Sequence, residues 1–297
     1  MRRISARIFF LLATMACAIS SAQTAPTIED IEIQSRGITL SGIIVIPAKT
    51  VAAVVLVDGA GQRLRKTGMA EMLAQHGIAA LTYDKRGVGK SGGVYAGPEV
   101  HTNNVSPENL DLLAADASAG VDVLSHRFAQ HRVPIGLIGF SQGGWIAPLA
   151  AARSPRVKFM VFWSGPVTTT LESVRFEMLT GHNPEFWDHH TEADVREHIR
   201  TDPDRYQFTD TDPVETLRKL SIPGLWLFGS RDVNVLTGIS IERLRALAAS
   251  GKPFEYVLYP EAGHQLVEDT AKPAVVQWIY KTVGARGELP VVGRGPR

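Results

Sequence analysis

Short apolar runs alternate with stretches of helical periodicity from Ile38 onward. The runs are four to seven residues long, and 157–163 is apolar almost throughout, as expected of a parallel strand buried on both faces. This alternation predicts βαβ units, and therefore an α/β fold. The predicted strands are 43–46, 51–57, 78–83, 135–139, 157–163, 224–229 and 254–259.

Between these runs, apolar residues recur at spacings of three or four, which is typical of amphipathic helices. The longest such stretch is 107–129, with Ser106 as a helix N-cap and Pro107 at the first helical position. Thr191 and Asp194 resemble a capping box. The other predicted helices are 68–76, 144–152, 191–200, 237–249 and 271–283.

The alternation breaks between Gly165 and Leu220. This segment carries 12 acidic and 6 basic side chains and only short helical pieces. Since the chain has no internal repeat and no low-complexity linker, we interpret 165–220 as an insertion into a single domain that spans 23–297. Residues 284–297 are predicted to form a loose tail.

The amino terminus has the pattern of a secretory signal peptide. Three arginines precede an apolar run at 8–19, and Ser20, Ser21 and Ala22 follow as a small-residue cleavage site. The run is shorter than the roughly 20 residues of a transmembrane helix, which disfavours a retained anchor. Residues 1–22 are therefore expected to be removed, leaving a periplasmic or secreted protein that has no membrane contact.

Charge and cysteine content narrow the chemistry. The 297 residues are 44% hydrophobic with a net charge of +1, which disfavours disorder and nucleic-acid binding. The single cysteine, Cys17, lies inside the predicted signal. The exported chain would therefore have no disulfide, no thiol nucleophile and no thiolate metal site. Lipidation of Cys17 is an alternative that stays open.

The most specific motif is Gly139-Phe140-Ser141-Gln142-Gly143, between a predicted strand and a predicted helix. In such a tight turn small residues flank the serine, and the turn raises the hydroxyl above the sheet at a helix N-terminus. The motif alone also occurs by chance, and its position between strand and helix is what favours a nucleophile.

A serine nucleophile needs a base, and the base needs an orienting acid. For this turn the chain order is serine, acid, histidine. Asp232 follows the strand 224–229 and His264 follows the strand 254–259, so both are expected at the carboxyl edge of the sheet, where open α/β sheets place their sites. A helix N-cap is the structural alternative for Asp232, and a surface position is the alternative for His264.

With these motifs and the stretch Tyr83-Asp84-Lys85-Arg86-Gly87-Val88-Gly89-Lys90-Ser91, the chain resembles the α/β-hydrolase superfamily. The resemblance spans about 38–283 and is greatest to bacterial serine esterases related to dienelactone hydrolases and prolyl-oligopeptidase-type catalytic domains. It implies a mostly parallel eight-stranded sheet flanked by helices, with a small helical cap at 165–220. It also implies main-chain oxyanion donors at Gln142 and Ala60, with Gly61 as an alternative. Relatives often begin that loop with His-Gly, whereas this chain has Asp58-Gly59.

Several other polar groups have structural explanations that we favour. Asp58 could be a second acid, the loop at 84–91 could suggest phosphate binding, and His182, Asp188, His189 and His190 could suggest a metal. A lone Gly-x-Gly is weak evidence for phosphate binding. Adjacent histidines point apart, which disfavours a shared metal. Five aromatic residues could line an acyl pocket or form the core of the cap; these are Phe162, Trp163, Phe176, Phe186 and Trp187.

The sequence therefore predicts a serine hydrolase, and most simply a carboxylesterase for small-molecule esters with short to medium acyl groups, acting through an acyl-enzyme without cofactor or metal. Ser141 would attack, His264 would move the proton and Asp232 would orient the imidazole. A peptidase or amidase, a thioesterase, and a binding protein on a hydrolase scaffold are the alternatives. The oligomeric state is not indicated.

Overall fold

The computed structural model describes residues 25–95, 102–203, 209–266 and 268–285. The predicted signal peptide at 1–22 and all but the first two residues of the predicted tail lie outside these ranges. Within the described residues, no helix combines the length and the apolar composition that crossing a membrane requires.

Eight strands form one sheet in the order β1-β2-β4-β3-β5-β6-β7-β8. The antiparallel pairs are β1 with β2 and β2 with β4, and the remaining neighbours are parallel. The mostly parallel eight-stranded sheet is therefore confirmed. The strands are β1 (Thr27–Ser35), β2 (Ile38–Ile46), β3 (Ala52–Val57), β4 (Ile78–Tyr83), β5 (Ile135–Phe140), β6 (Val157–Trp163), β7 (Gly224–Gly229) and β8 (Phe254–Tyr259).

Helices cover both faces of this sheet. They are α1 (Thr67–Gln75), α2 (Thr102–Val105), α3 (Pro107–Arg127), α4 (Gly143–Arg153), α5 (Thr170–Thr180), α6 (Phe186–His189), α7 (Glu192–Thr201), α8 (Pro213–Leu217), α9 (Thr237–Ala249) and α10 (Glu268–Val283), with a short 3-10 turn at Ala129–His131. Ser106 caps α3, and the capping box of Thr191 and Asp194 begins α7, both as predicted.

The central strands are buried on both faces, which explains their continuous apolar sequences. Every residue of β3, β4, β5 and β7 is buried. One core cluster joins the sheet to α3, α4, α8 and α9, and a second joins it to α1 and α10. Because the parallel strands share one direction, the loops after β3, β4, β5, β6, β7 and β8 emerge at one edge of the sheet.

Several features differ from the sequence interpretation. The strand β2 begins at Ile38, five residues before the predicted run at 43–46. The first strand, β1, was not predicted, since it is an edge strand whose outer residues, such as Ile28, are exposed and whose pattern is interrupted by charges. The last helix begins at Glu268 rather than at residue 271. The region predicted to be a cap lies between β6 and β7 and contains α5 to α8. Residues 204–208 of this region are outside the described residues.

Candidate active site

Ser141 lies in the tight turn between β5 and α4. Its φ is +48°, the left-handed conformation that a strained strand-to-helix turn imposes. The glycines around it have no room for side chains. A Cβ on Gly139 would lie 2.7 Å from the Gly143 oxygen, and one on Gly143 would lie 2.9 Å from the Val57 oxygen. The flanking glycines are therefore required by close backbone approach, as the motif predicts.

Asp232 and His264 are joined directly. Asp232 is only 1% exposed, and its Oδ2 lies 2.8 Å from His264 Nδ1. The other oxygen, Oδ1, accepts hydrogen bonds from the main-chain N–H groups of Asn234 at 2.8 Å and Val235 at 2.9 Å. Since an ionised carboxylate only accepts, Nδ1 must carry a proton, which leaves Nε2 of a neutral imidazole as an acceptor. This is the tautomer that a general base requires.

The charge of His264 depends on opposing effects. Burial on its own lowers the pKa of the imidazole, whereas the Asp232 charge and hydrogen bond, with a smaller contribution from Glu177, raise it. The net result is a pKa above the ordinary value of 6.5. A partly buried histidine that is held by a fully buried carboxylate is the kind of perturbed group that clusters at functional sites.

The end of β6 connects the turn that holds Ser141 to the loop that holds His264. Ser141 N–H donates to the carbonyl of Trp163, the last residue of β6, at 3.0 Å. Ser164 follows Trp163, and its Oγ donates to the His264 carbonyl at 2.8 Å. No hydrogen bond joins the described side chains of Ser141 and His264. In unliganded enzymes such catalytic contacts are often long.

A small cleft, partly open to solvent, includes Ser141 in its wall. Ala60 and Gln142, the two expected oxyanion donors, line the same cleft. Their main-chain N–H groups donate to no acceptor within the described protein, so both are available to a ligand. The remaining lining residues are Asn104, Val105, Trp145, Pro166, Ser173, Val174, Glu177, Asn234 and Val235.

Asp58 and Asp84 form hydrogen bonds and ion pairs within the protein. Asp58 Oδ1 accepts from Gly59 N–H at 2.9 Å and pairs with Lys66 at 3.2 Å. Asp84 is held by Arg65 at 2.9 Å. Burial on its own raises the pKa of Asp84, but hydrogen bonds from Arg65 and Lys90 lower it to about 2. These groups fix the loops beside the cleft.

The loop at 84–91 is tied to the body of the protein at two further places. Arg86 forms a buried ion pair with Asp116 on α3. Ser91 Oγ donates to the Asp84 carbonyl at 2.5 Å and accepts from Ser41 N–H at 3.0 Å. The glycine-punctuated loop is thus held by protein contacts throughout, as its structural interpretation requires.

The aromatic residues of the predicted cap form its core instead of an acyl pocket. Phe176 and Phe186 are buried together with Val195, Ile199 and Leu236, and Trp187 packs against them. None of them lines the cleft at Ser141. Trp187 Nε1 instead donates to the Asp232 carbonyl at 2.8 Å, which links this core to the acid loop. Among the described residues, no group of three or more acidic, histidine or cysteine side chains could hold a metal.

Lys85 is the residue at this site that the sequence interpretation missed. It follows β4 directly, it is only 5% exposed, and its Nζ donates to the Gly59 carbonyl and to Gln142 Oε1 at 2.8 Å each. The available signal was its position, because a lysine at the carboxyl end of a buried strand points into the region where the loops of the site meet.

Comparisons with known proteins agree with this architecture. The family model described as Serine aminopeptidase, S33 matches residues 48–214, which include Ser141 and end before Asp232. A Methylorubrum extorquens protein named as a carboxymethylenebutenolidase is 29% identical over 150 residues, covering 48% of this chain and 40% of that protein. The chain thus spans less than half the length of this curated relative.

Two solved structures share the fold. An esterase of Pyrococcus furiosus, PF2001, superposes with a TM-score of 0.62 at 18% identity, over 87% of this chain and 92% of that one. A dienelactone hydrolase of Anabaena variabilis gives 0.58 at 20% identity, over 87% and 97%. At such identities the likeness establishes the fold. Because the family model covers more than half of the chain, this protein belongs to the serine aminopeptidase S33 family and is a hydrolase of the α/β-hydrolase fold.

Proposed function

We propose that this protein is an exported serine carboxylesterase that hydrolyses small esters with short to medium acyl groups. The observation that carries the proposal is the hydrogen-bonded pair of buried Asp232 and His264, at the sheet edge where Ser141 is held at positive φ. A nucleophile and two free main-chain donors at one cleft, with an oriented base at the same edge of the sheet, are the groups that acyl transfer needs.

In the proposed reaction, Ser141 Oγ attacks the ester carbonyl while His264 Nε2 takes the hydroxyl proton. The tetrahedral oxyanion accepts hydrogen bonds from the N–H groups of Ala60 and Gln142. The C–O bond to the alcohol then breaks, and the imidazolium returns its proton to the leaving alkoxide. A water molecule then attacks the acyl carbon while the same imidazole takes its proton. The bond between the acyl carbon and Ser141 Oγ breaks, the imidazolium returns the proton to Ser141 Oγ, and the acid leaves.

The cleft walls favour small acyl groups. The apolar side chains at this cleft, Val105, Trp145, Val174 and Val235, are interspersed with polar ones, including Asn104 and Glu177. The names of two similar proteins refer to lactone hydrolases, and a lactone is a small cyclic ester. The charged segment at 165–220 has no long apolar run that could form a lipid-binding surface.

We expect p-nitrophenyl esters from acetate to hexanoate to be cleaved with higher kcat/KM than the dodecanoate or palmitate. Each methylene that fits contributes about 0.8 kcal/mol, and methylenes beyond the cleft contribute nothing or clash. The chain-length series, measured below and above the micellar concentration of each ester, is the test. A palmitate preference that rises at the micellar threshold would identify a lipase and overturn the esterase proposal.

The rise of kcat/KM on the acid side of its pH profile should follow the deprotonation of His264. The neutral imidazole is the active form, so kcat/KM rises with pH as the proton leaves. Because Asp232 raises the pKa of His264, the midpoint is expected above 6.5. Rates with p-nitrophenyl acetate between pH 5 and 8 give this midpoint. A profile that is flat over this range, with chemistry rate-limiting, would exclude His264 as the base.

An aminopeptidase or amidase is the second candidate. The family description favours it, and so does the carboxylate of Glu177 on the cleft wall, since a free amino terminus is a cation. Aminoacyl p-nitroanilides and the matching aminoacyl p-nitrophenyl esters differ only in the scissile bond. Higher kcat/KM on the anilides than on simple esters would replace the esterase proposal with this one.

The export part of the proposal rests on the amino-terminal pattern of arginines, apolar run and small residues at 1–22. The expected mature protein begins at Gln23. The mass of the protein recovered from its native cells tests this, and a mass that includes residues 1–22 would contradict export by cleavage.

A further inference from the structure

We infer that Lys85 is a positioning residue that sets the geometry of both oxyanion donors and the strength of the Ala60 donor. This inference rests on the proposed serine hydrolase function. The buried Lys85 Nζ contacts the two segments that supply the donors, through the Gly59 carbonyl and through Gln142 Oε1, each at 2.8 Å. Among the described residues, no other side chain donates hydrogen bonds to both segments.

The first contact acts on the donor of Ala60. The Gly59 carbonyl and the Ala60 N–H belong to the same peptide group, so a cation at the oxygen polarises the N–H at the other end. Hydrogen bonds in a chain strengthen one another in this way. The loop is fixed from a second direction, because Asp58 accepts from Gly59 N–H at 2.9 Å. Lys85 thus both orients this peptide and makes its N–H a better donor.

The second contact acts on the donor of Gln142. The Gln142 side chain is 2% exposed; its Oε1 accepts from Lys85, and its Nε2 donates to the Asn104 carbonyl. Gln142 directly follows the nucleophile and begins the turn into α4. With the side chain held at both ends, the main-chain N–H of Gln142 is fixed relative to Ser141.

The charges around Lys85 decide its protonation. Burial lowers its pKa to about 8, while Asp58 and Asp116 oppose this effect and Arg63 adds to it. Tyr83 is also buried and lines a small cavity together with Lys85. The hydroxyl of Tyr83 stays neutral, because burial raises its pKa well above the usual range. Near neutral pH, Lys85 is therefore the cation that faces both donor segments, and it loses its charge in an accessible alkaline range.

Replacement by methionine separates this role from general packing. Lys85→Met removes the ammonium and keeps a long unbranched chain, and Lys90→Met is the matched control from the same loop, where Lys90 is exposed. Removing an oxyanion donor outright lowers kcat by about 10² to 10³, so we expect a loss of about 10- to 100-fold for Lys85→Met, which weakens the donors without deleting them. We expect KM to stay within about threefold, and Lys90→Met to resemble the wild type.

A trifluoromethyl ketone provides the readout that a merely structural role would not move. It forms a tetrahedral oxyanion on the serine, so its affinity should fall in parallel with kcat/KM in Lys85→Met. A variant whose kcat/KM stays within twofold of wild type, or whose loss is not matched by weaker ketone binding, would overturn the inference.

The pH profile of the unmodified enzyme tests the same role if Lys85→Met does not fold. Deprotonation leaves a neutral amine that still donates but no longer carries charge, so kcat should fall to a lower plateau through an apparent pKa near 8. A kcat that is flat from pH 7 to 10, with chemistry rate-limiting, would overturn the inference. Failure of the underlying function is distinguishable, because it would appear as a wild-type enzyme without Ser141-dependent turnover.

Discussion

Replacing Ser141 with alanine is expected to lower kcat for p-nitrophenyl acetate by about 10⁴- to 10⁶-fold, because the acyl-enzyme can no longer form. The residual rate would come from water attacking a substrate that is still bound between the two oxyanion donors. Folding should be retained, since serine and alanine experience the same backbone strain at the positive φ of this turn. Steady-state kinetics, together with a thermal unfolding curve, provides the measurement.

Ser118→Ala is the matched control for this variant. Ser118 is a half-buried serine on α3 whose Oγ donates to the Ala150 carbonyl at 3.4 Å, away from the cleft. Its replacement should leave kcat near the wild-type value. If Ser141→Ala retains more than a tenth of the wild-type kcat while Ser118→Ala is normal, the nucleophile is a different residue.

Asp232→Asn is expected to lower kcat by about 10⁴-fold with little change in volume, by analogy with other serine triads. The structure gives a specific reason. Oδ1 accepts two main-chain N–H groups, from Asn234 and Val235, so the amide oxygen of the variant must occupy that position. The amide NH₂ then faces His264 Nδ1 and donates to it. The proton of the neutral imidazole moves to Nε2, which can no longer accept a proton from Ser141.

Asp188→Asn is the control for the loss of a carboxylate near this loop. Asp188 is half-exposed and pairs with Arg231, the residue that precedes Asp232. An exposed pair of this kind contributes about 0 to 1 kcal/mol to stability, so its loss should leave kcat nearly unchanged. Equal rates for Asp232→Asn and wild type would show that His264 does not need an orienting acid, which contradicts the proposed mechanism.

The fold was readable from the sequence where local pattern and burial agree. The strands β6 and β7 have the predicted bounds, since continuous apolar residues are what burial on both faces of a parallel sheet requires. The bounds of β8 were also predicted correctly, although this edge strand is only partly buried. The strand β1 was missed because an edge strand buries only part of one face, and its charges obscure the alternation. The chain order of Ser141, Asp232 and His264 was readable because each follows a recognisable strand.

The surroundings of Ser141, Asp232 and His264 could not be predicted from the sequence, because they depend on contacts between distant parts of the chain. Lys85 and Gln142 are 57 residues apart, and their hydrogen bond is visible only when β4 and β5 are placed in one sheet. Likewise, Phe176 and Phe186 are apolar in a manner that suits either a pocket or a core. Only the packing of α5, α6 and α7 shows that they face each other instead of the cleft.

Covalent labelling with a fluorophosphonate, followed by mass spectrometry of the modified peptide, tests the central claim most directly. The reagent requires an activated nucleophile and an oxyanion site, but no knowledge of the natural substrate. The proposal predicts one adduct, on Ser141, which is absent from Ser141→Ala and forms far more slowly in Asp232→Asn. An adduct on another residue, or an unmodified Ser141 in the folded wild-type protein, would contradict the assignment of this site as a serine hydrolase centre.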